Sequence, residues 1–308
     1  MLALGGGAFL GWALGANDAA NVFGTAVAAR VVRFSTAAIV CAVCVVLGAW
    51  LEGRPGIETL GALAPNDLRA AVVASLSAAI VVTFMTWRGV PVSTSQAVVG
   101  AILGIGLTEN APNWAGLPKI LICWVATPIG AVVIACILYT LGSQVLKRTR
   151  MSMLTRDNAL WGLLVVVGAY GSYTLGANNV ANVTGVYAGT EPFRDPGRLA
   201  LLGGVFIGAG AITFSRRVMM TVGARLVRMD AYAALVATSA QAFTMHVFAW
   251  IGVPVSASQA IIGAVVGVGL MRGTRAVHAT ELKRIGLSWL LSPITAAALA
   301  ALLYRVPA

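Results

Sequence analysis

The chain has 308 residues, of which 59% are hydrophobic and only 10% charged, whereas ordinary soluble domains carry about 25% charged residues. Its net charge of +11 comes from 21 Lys and Arg against 10 Asp and Glu, and the basic residues sit at the ends of apolar runs. That pattern excludes a soluble globular class and argues against a nucleic-acid partner; it predicts an all-α polytopic membrane protein in a lipid bilayer.

Cutting the chain at polar breaks predicts ten segments of crossing length: 2–29, 35–51, 68–87, 90–108, 119–142, 158–189, 199–215, 231–250, 253–271 and 282–304. Short hairpins hidden in these segments raise the expected count to as many as twelve helices. The apolar run from Met1 lacks a basic lead and a cleavage site, so it reads as the first membrane segment and not as a removed signal. Within it lies Gly15-Ala16-Asn17-Asp18-Ala19-Ala20-Asn21. These amides are poor material facing lipid, and good material for replacing water around an ion. Gly15 and Gly24 beside them point to unwound backbone, which membrane depth tolerates only against protein or a water-filled cavity; plain helix packing through small residues is the alternative. Asp18 is the one acidic residue that falls mid-segment, where an Asp costs roughly 2.5–3.5 kcal/mol. It either caps a broken helix or builds an ion site.

Cys41, Cys44, Cys123 and Cys136 lie within apolar runs; no zinc set and no disulfide is implied. The fourth segment opens on Pro91-Val92-Ser93-Thr94-Ser95-Gln96. Proline suits a first helical turn, and Ser93 or Ser95 can cap it. Such a helix start also draws an anion. Arg88, just upstream, is either a cytoplasmic anchor or an attractor of anions.

The second half repeats the first. Gly176-Ala177-Asn178-Asn179-Val180-Ala181-Asn182 echoes the first cluster at an offset of 161; Pro254-Val255-Ser256-Ala257-Ser258-Gln259 echoes the Pro-Val-Ser stretch at 163; Trp289 with Pro293 echoes Trp124 with Pro128 at 165. The expected organisation is therefore a first membrane repeat (1–146), a basic connector (147–157) and a second repeat (158–308). Five crossings per half make the second half inverted, which places a substrate site at the repeat interface near the midplane. With the N-terminus outside, fifteen of the 21 basic residues face the cytoplasm, so both termini are expected external. His246 either bonds a neighbouring helix or shuttles protons; His278 falls in a cytoplasmic loop. No nucleophile–base set, phosphate loop or metal cluster occurs in the sequence, which predicts neither catalysis nor an organic cofactor.

An oxyanion site beside Asp18 requires a second ion. A dianion about 5 Å from an ionised carboxylate is repelled by roughly 6 kcal/mol at an effective dielectric of about 20. Na⁺ held by Asp and Asn oxygens relieves this, and so does a proton on Asp18.

GANDAANVFGTAV and GANNVANVTG resemble the duplicated signature of the inorganic phosphate transporter (PiT) family, and PVSTSQAVVGAILG and PVSASQAIIGAVVG resemble its paired Pro-Val-Ser-Thr segments. The resemblance covers nearly the whole chain. It implies two inverted helical repeats, a homodimer in the cell membrane, and symport of phosphate with Na⁺ or H⁺. Sulfate or a related oxyanion is the alternative, since some relatives carry it. Carried over by residue, substrate would meet Ser93, Thr94, Ser95, Gln96, Ser256, Ser258, Gln259, Asn17 and Asn178. The driving ion would meet Asp18, Asn21, Asn179 and Asn182, with Na⁺ also reaching Asn17 and Asn178. Asn179 stands where the family often has an acid, and Ala257 lacks the hydroxyl that Thr94 keeps.

Overall fold

The structure, a computed structural model, describes residues 4–28, 30, 32–88, 92–110, 112–149, 151–226, 230–273 and 279–306. Among them lie twelve α-helices: α1 (Gly5–Ala28), α2 (Phe34–Glu52), α3 (Arg54–Leu63), α4 (Leu68–Trp87), α5 (Thr94–Thr108), α6 (Leu117–Arg148), α7 (Met153–Thr184), α8 (Pro196–Thr213), α9 (Ser215–Leu226), α10 (Ala231–Ile251), α11 (Ala257–Met271) and α12 (Ala279–Arg305). Lipid offers no partner to backbone N–H and C=O groups, and a helix satisfies them within one segment. Seven helices (α2, α4, α6, α7, α8, α10 and α12) are long and apolar enough to cross a bilayer. The chain is an integral membrane protein. α5 and α11 have 15 residues each. At 1.5 Å per residue they rise about 22 Å, short of the roughly 30 Å apolar core.

The helices correct the expected boundaries in three places. First, α1 and α7 run unbroken through both Asn clusters. The side chains there bond one another: the Asn17 and Asn21 amides donate to Asp18 Oδ1 at 2.8 and 3.3 Å, and Asn182 donates to Asn179 Oδ1 at 2.8 Å. They leave the backbone ladder alone. Second, α3 and α9 lie between the expected segments and are not hairpins inside them. With 10 and 12 residues, and with Arg54, Glu58, Arg216 and Arg217 among them, they are too short and polar to read as crossings. Third, the breaks fall before the helix starts of the two Pro-Val-Ser stretches, where 92–93 and 253–256 are non-helical. The link between α6 and α7 is 149–152, inside the expected connector. Pro91, His278, Arg150, Arg228 and Arg275 lie outside the described residues.

The two halves pack by exchange. α5 lies on α12 as α11 lies on α6, and α1 lies on α8 as α7 lies on α2. A Cβ added at Gly100 would sit 2.3 Å from the Pro293 carbonyl oxygen, and one at Gly263 would sit 2.3 Å from that of Pro128. Likewise Gly15 meets the Ile207 carbonyl oxygen at 1.9 Å and Gly176 meets that of Val45 at 2.0 Å. Absent side chains thus let the backbones touch at corresponding places in each half.

Candidate functional site

Ser93 and Ser256 are the N-caps of α5 and α11. Each hydroxyl accepts from the amide three residues on, Gln96 at 3.4 Å and Gln259 at 3.3 Å. The sequence left the capping residue open between two serines. The other serine of each pair reaches across to the opposite half: Ser95 donates to the Val255 carbonyl at 3.0 Å, and Ser258 donates to the Val92 carbonyl at 3.1 Å. This reciprocal exchange brings the two helix starts together. Their N-terminal dipoles, each equivalent to about half a positive charge, therefore lie close to one another.

The second Asn cluster is fastened to these helix starts. Asn182 donates to Ser95 Oγ at 3.0 Å as well as to Asn179. Asn178 clamps the α10–α11 link: its amide donates to the Met245 and Val253 carbonyls at 3.4 and 3.2 Å, and its oxygen accepts from Val255 N–H at 2.9 Å. Trp124 on α6 closes the same link by donating to the Pro254 carbonyl at 3.4 Å. Asn17, Asp18 and Asn21 form a separate knot. It is joined to the end of α4 through Thr86, whose hydroxyl donates to Asn17 Oδ1 at 3.3 Å. α1 also packs on α7, which carries the second cluster, and on α10 and α11. Asn17 and Asn178 are both buried inside the protein, away from acyl chains.

Several predicted site residues carry buried polar atoms that find no partner within the chain: Thr94 Oγ1, Gln96 Oε1, Gln259 Oε1, Asn179 Nδ2 and Asn182 Oδ1. Leaving such a group unmade costs about 1–3 kcal/mol. These five stand on the two meeting helix starts and the second amide cluster. The set holds free donors and free oxygens together, so it can address an anion and a cation at once.

Sequence reasoning missed one contributor, Thr86, which carries no signal of its own, being one threonine at a helix end.

A helical membrane domain whose polar groups converge on an interior cluster of amides and hydroxyls has the build of a solute permease. The family described as the phosphate transporter family matches this chain at residues 14–161 and again at 148–300. A "Putative phosphate permease" of Methanocaldococcus jannaschii is 30% identical, over 94% of this chain and 91% of its own length. A "Putative phosphate permease" of Thermococcus kodakarensis is 25% identical over 96% and 95%, and "Sulfate permease CysP" of Bacillus subtilis is 27% identical over 96% and 84%. A solved structure named "The sodium-dependent phosphate transporter" superimposes with a TM-score of 0.89 at 24% identity, covering 98% of this chain and 97% of that one; it shares the fold. The chain belongs to the phosphate transporter family, a family of permeases.

Proposed function

We propose that the chain imports inorganic phosphate across the cell membrane as a secondary symporter driven by Na⁺. The observation that carries this reading is the set of unpartnered buried atoms on Thr94, Gln96, Asn179, Asn182 and Gln259. The Thr94 hydroxyl and Asn179 amide are donors for a phosphate oxygen. The free oxygens of Gln96, Gln259 and Asn182 suit the O–H groups of a protonated phosphate or a hard cation. Asp18, with the oxygens of Asn17 and Asn21, supplies the negative end of the Na⁺ site. A fold-mate named for sodium dependence agrees with that choice. The reciprocal Ser95–Val255 and Ser258–Val92 bonds are what a twofold relation between two halves produces, and this supports inverted repeats that rock about a shared site. The count of basic residues supports a membrane orientation with both termini outside.

Sulfate is a second reading, favoured by the Bacillus subtilis relative. The two separate on hydrogen bonding. Hydrogen phosphate carries an O–H that acceptor oxygens can meet, and sulfate leaves those oxygens unpaired, a mismatch such sites reject strongly. The test is uptake of labelled phosphate and sulfate into proteoliposomes, with Na⁺ and pH gradients imposed separately. Phosphate should accumulate under the Na⁺ gradient alone. Accumulation under a pH gradient without Na⁺ would refute sodium coupling, and uptake of sulfate in place of phosphate would refute the substrate.

A further inference from the structure

A second cluster of ionisable groups stands apart from the amides and hydroxyls described above. Glu52 ends α2, Tyr170 and Tyr173 lie on α7, and His246 lies on α10. His246 Nε2 is 2.7 Å from Glu52 Oε2, His246 Nδ1 is 2.7 Å from Tyr170 Oη, and the Tyr173 hydroxyl donates to Glu52 Oε1 at 2.8 Å. The Trp250 ring lies over the imidazole, centroid to centroid 4.5 Å. The His246 side chain is 13% exposed and that of Glu52 33%.

Packing alone does not call for these residues. At the offset of 161, Trp12 matches Tyr173 and Thr213 matches Glu52. There the same crossing is held by a neutral bond, Trp12 Nε1 to Thr213 Oγ1 at 2.9 Å. At the offset of 163, the counterpart of His246 is Thr83. One half therefore joins its helices with groups that do not titrate, and the other joins them with an acid and an imidazole.

We propose that His246 and Glu52, bridged between Tyr170 and Tyr173, form a proton-binding site through which pH controls phosphate affinity. With the imidazole neutral, all three bonds form without conflict: Nε2–H donates to Glu52, and Nδ1 accepts from Tyr170. A proton arriving at Nδ1 turns that acceptor into a donor, so the Tyr170 hydroxyl must turn away. The His246–Glu52 contact becomes an ion pair tying α10 to α2. Met245, whose carbonyl helps hold Asn178, is the adjacent residue. The proton thus tightens the element that clamps the substrate site, and its charge attracts the anion.

The other charges on the packed elements leave this pairing in place. Lys119 of α6 donates to the Ile251 carbonyl at 3.1 Å, Arg54 and Glu58 of α3 pair at 2.7 Å, and Arg198 and Asp195 at the start of α8 are 3.3 Å apart. Asp18 of α1 belongs to the knot already described, and Arg272 beyond α11 pairs with Asp230 at the opposite end of α10. Lys119 and Arg54 oppose a cation at His246; the carboxylate in direct contact opposes them.

The proposal rests on phosphate being the substrate, and a single titration separates the two ideas. The chain holds 2 histidines, so ring-labelled protein in detergent gives two imidazole signals, and His246→Gln identifies the one lost. The His246 signal should move with pH. Saturating inorganic phosphate with Na⁺ should move its midpoint to higher pH by about half a unit, which corresponds to roughly threefold tighter phosphate binding to the protonated form. Glu52→Gln, which removes the partner of the imidazolium, should move the midpoint lower. A signal that does not titrate, or a midpoint indifferent to every anion tried, overturns the proposal. A shift with sulfate and none with phosphate keeps the proton site and overturns the substrate reading instead.

Discussion

Gly176→Ala tests whether close contact between α7 and α2 sets the site. The new methyl would lie 2.0 Å from the Val45 carbonyl oxygen, where ordinary contact begins at 3.4 Å. The two backbones must therefore part by about 1.4 Å, the difference between those distances. Neither side has a flexible side-chain end to yield. Overpacking of this kind costs about 1–3 kcal/mol, against which Ala regains up to about 1 kcal/mol of helix propensity. Asn178, Asn179 and Asn182 follow within two turns and move with α7. A displacement near 1 Å at a positioned group can lower a rate about 100-fold. The expected result is a melting temperature a few degrees lower in detergent and phosphate uptake reduced at least about tenfold. Gly162→Ala on the same helix is the control, since nothing lies within 4 Å of its added Cβ. If Gly176→Ala matches that control in both stability and uptake, backbone contact at this crossing does not position the amides.

Three further outcomes follow from the site. Asp18→Asn should abolish accumulation against a gradient while leaving membrane insertion intact; wild-type accumulation in proteoliposomes would remove Asp18 from the coupling. Asn178→Ala strands the Val255 N–H, at a cost of about 1–3 kcal/mol, and should raise the phosphate half-saturation concentration at least about fivefold in uptake kinetics. Ser95→Ala and Ser258→Ala each break one of two reciprocal bonds, and each also loses one further partner, Asn182 for Ser95 and Ser256 for Ser258. They should weaken half-saturation by factors within about threefold of each other, each bond being worth about 1 kcal/mol. A tenfold disparity would show that the two helix starts are not equivalent.

Much of the site was legible before the fold. Ser93, Ser95, Ser256 and Ser258 announced helix starts, and the structure caps both helices as expected. The amide clusters were correctly placed within α1 and α7, yet their backbone was expected to unwind. Gly, Asn and Asp favour turns when judged singly, but here the amides bond neighbours one to three residues away, and lipid penalises any opened backbone. α3 and α9 escaped notice because a hydropathy reading sees only segments long and apolar enough to cross.

The amino-acid order alone determined the membrane class, the duplication and the residue types available for solute binding, because apolar length and repeated motifs are properties of neighbouring residues. Only the tertiary structure decided that Ser95 meets Val255, that Gly176 meets Val45, and that Glu52 meets a histidine 194 positions away. Those partners are set by how helices cross, and crossing depends on where two distant surfaces lack side chains at the same depth.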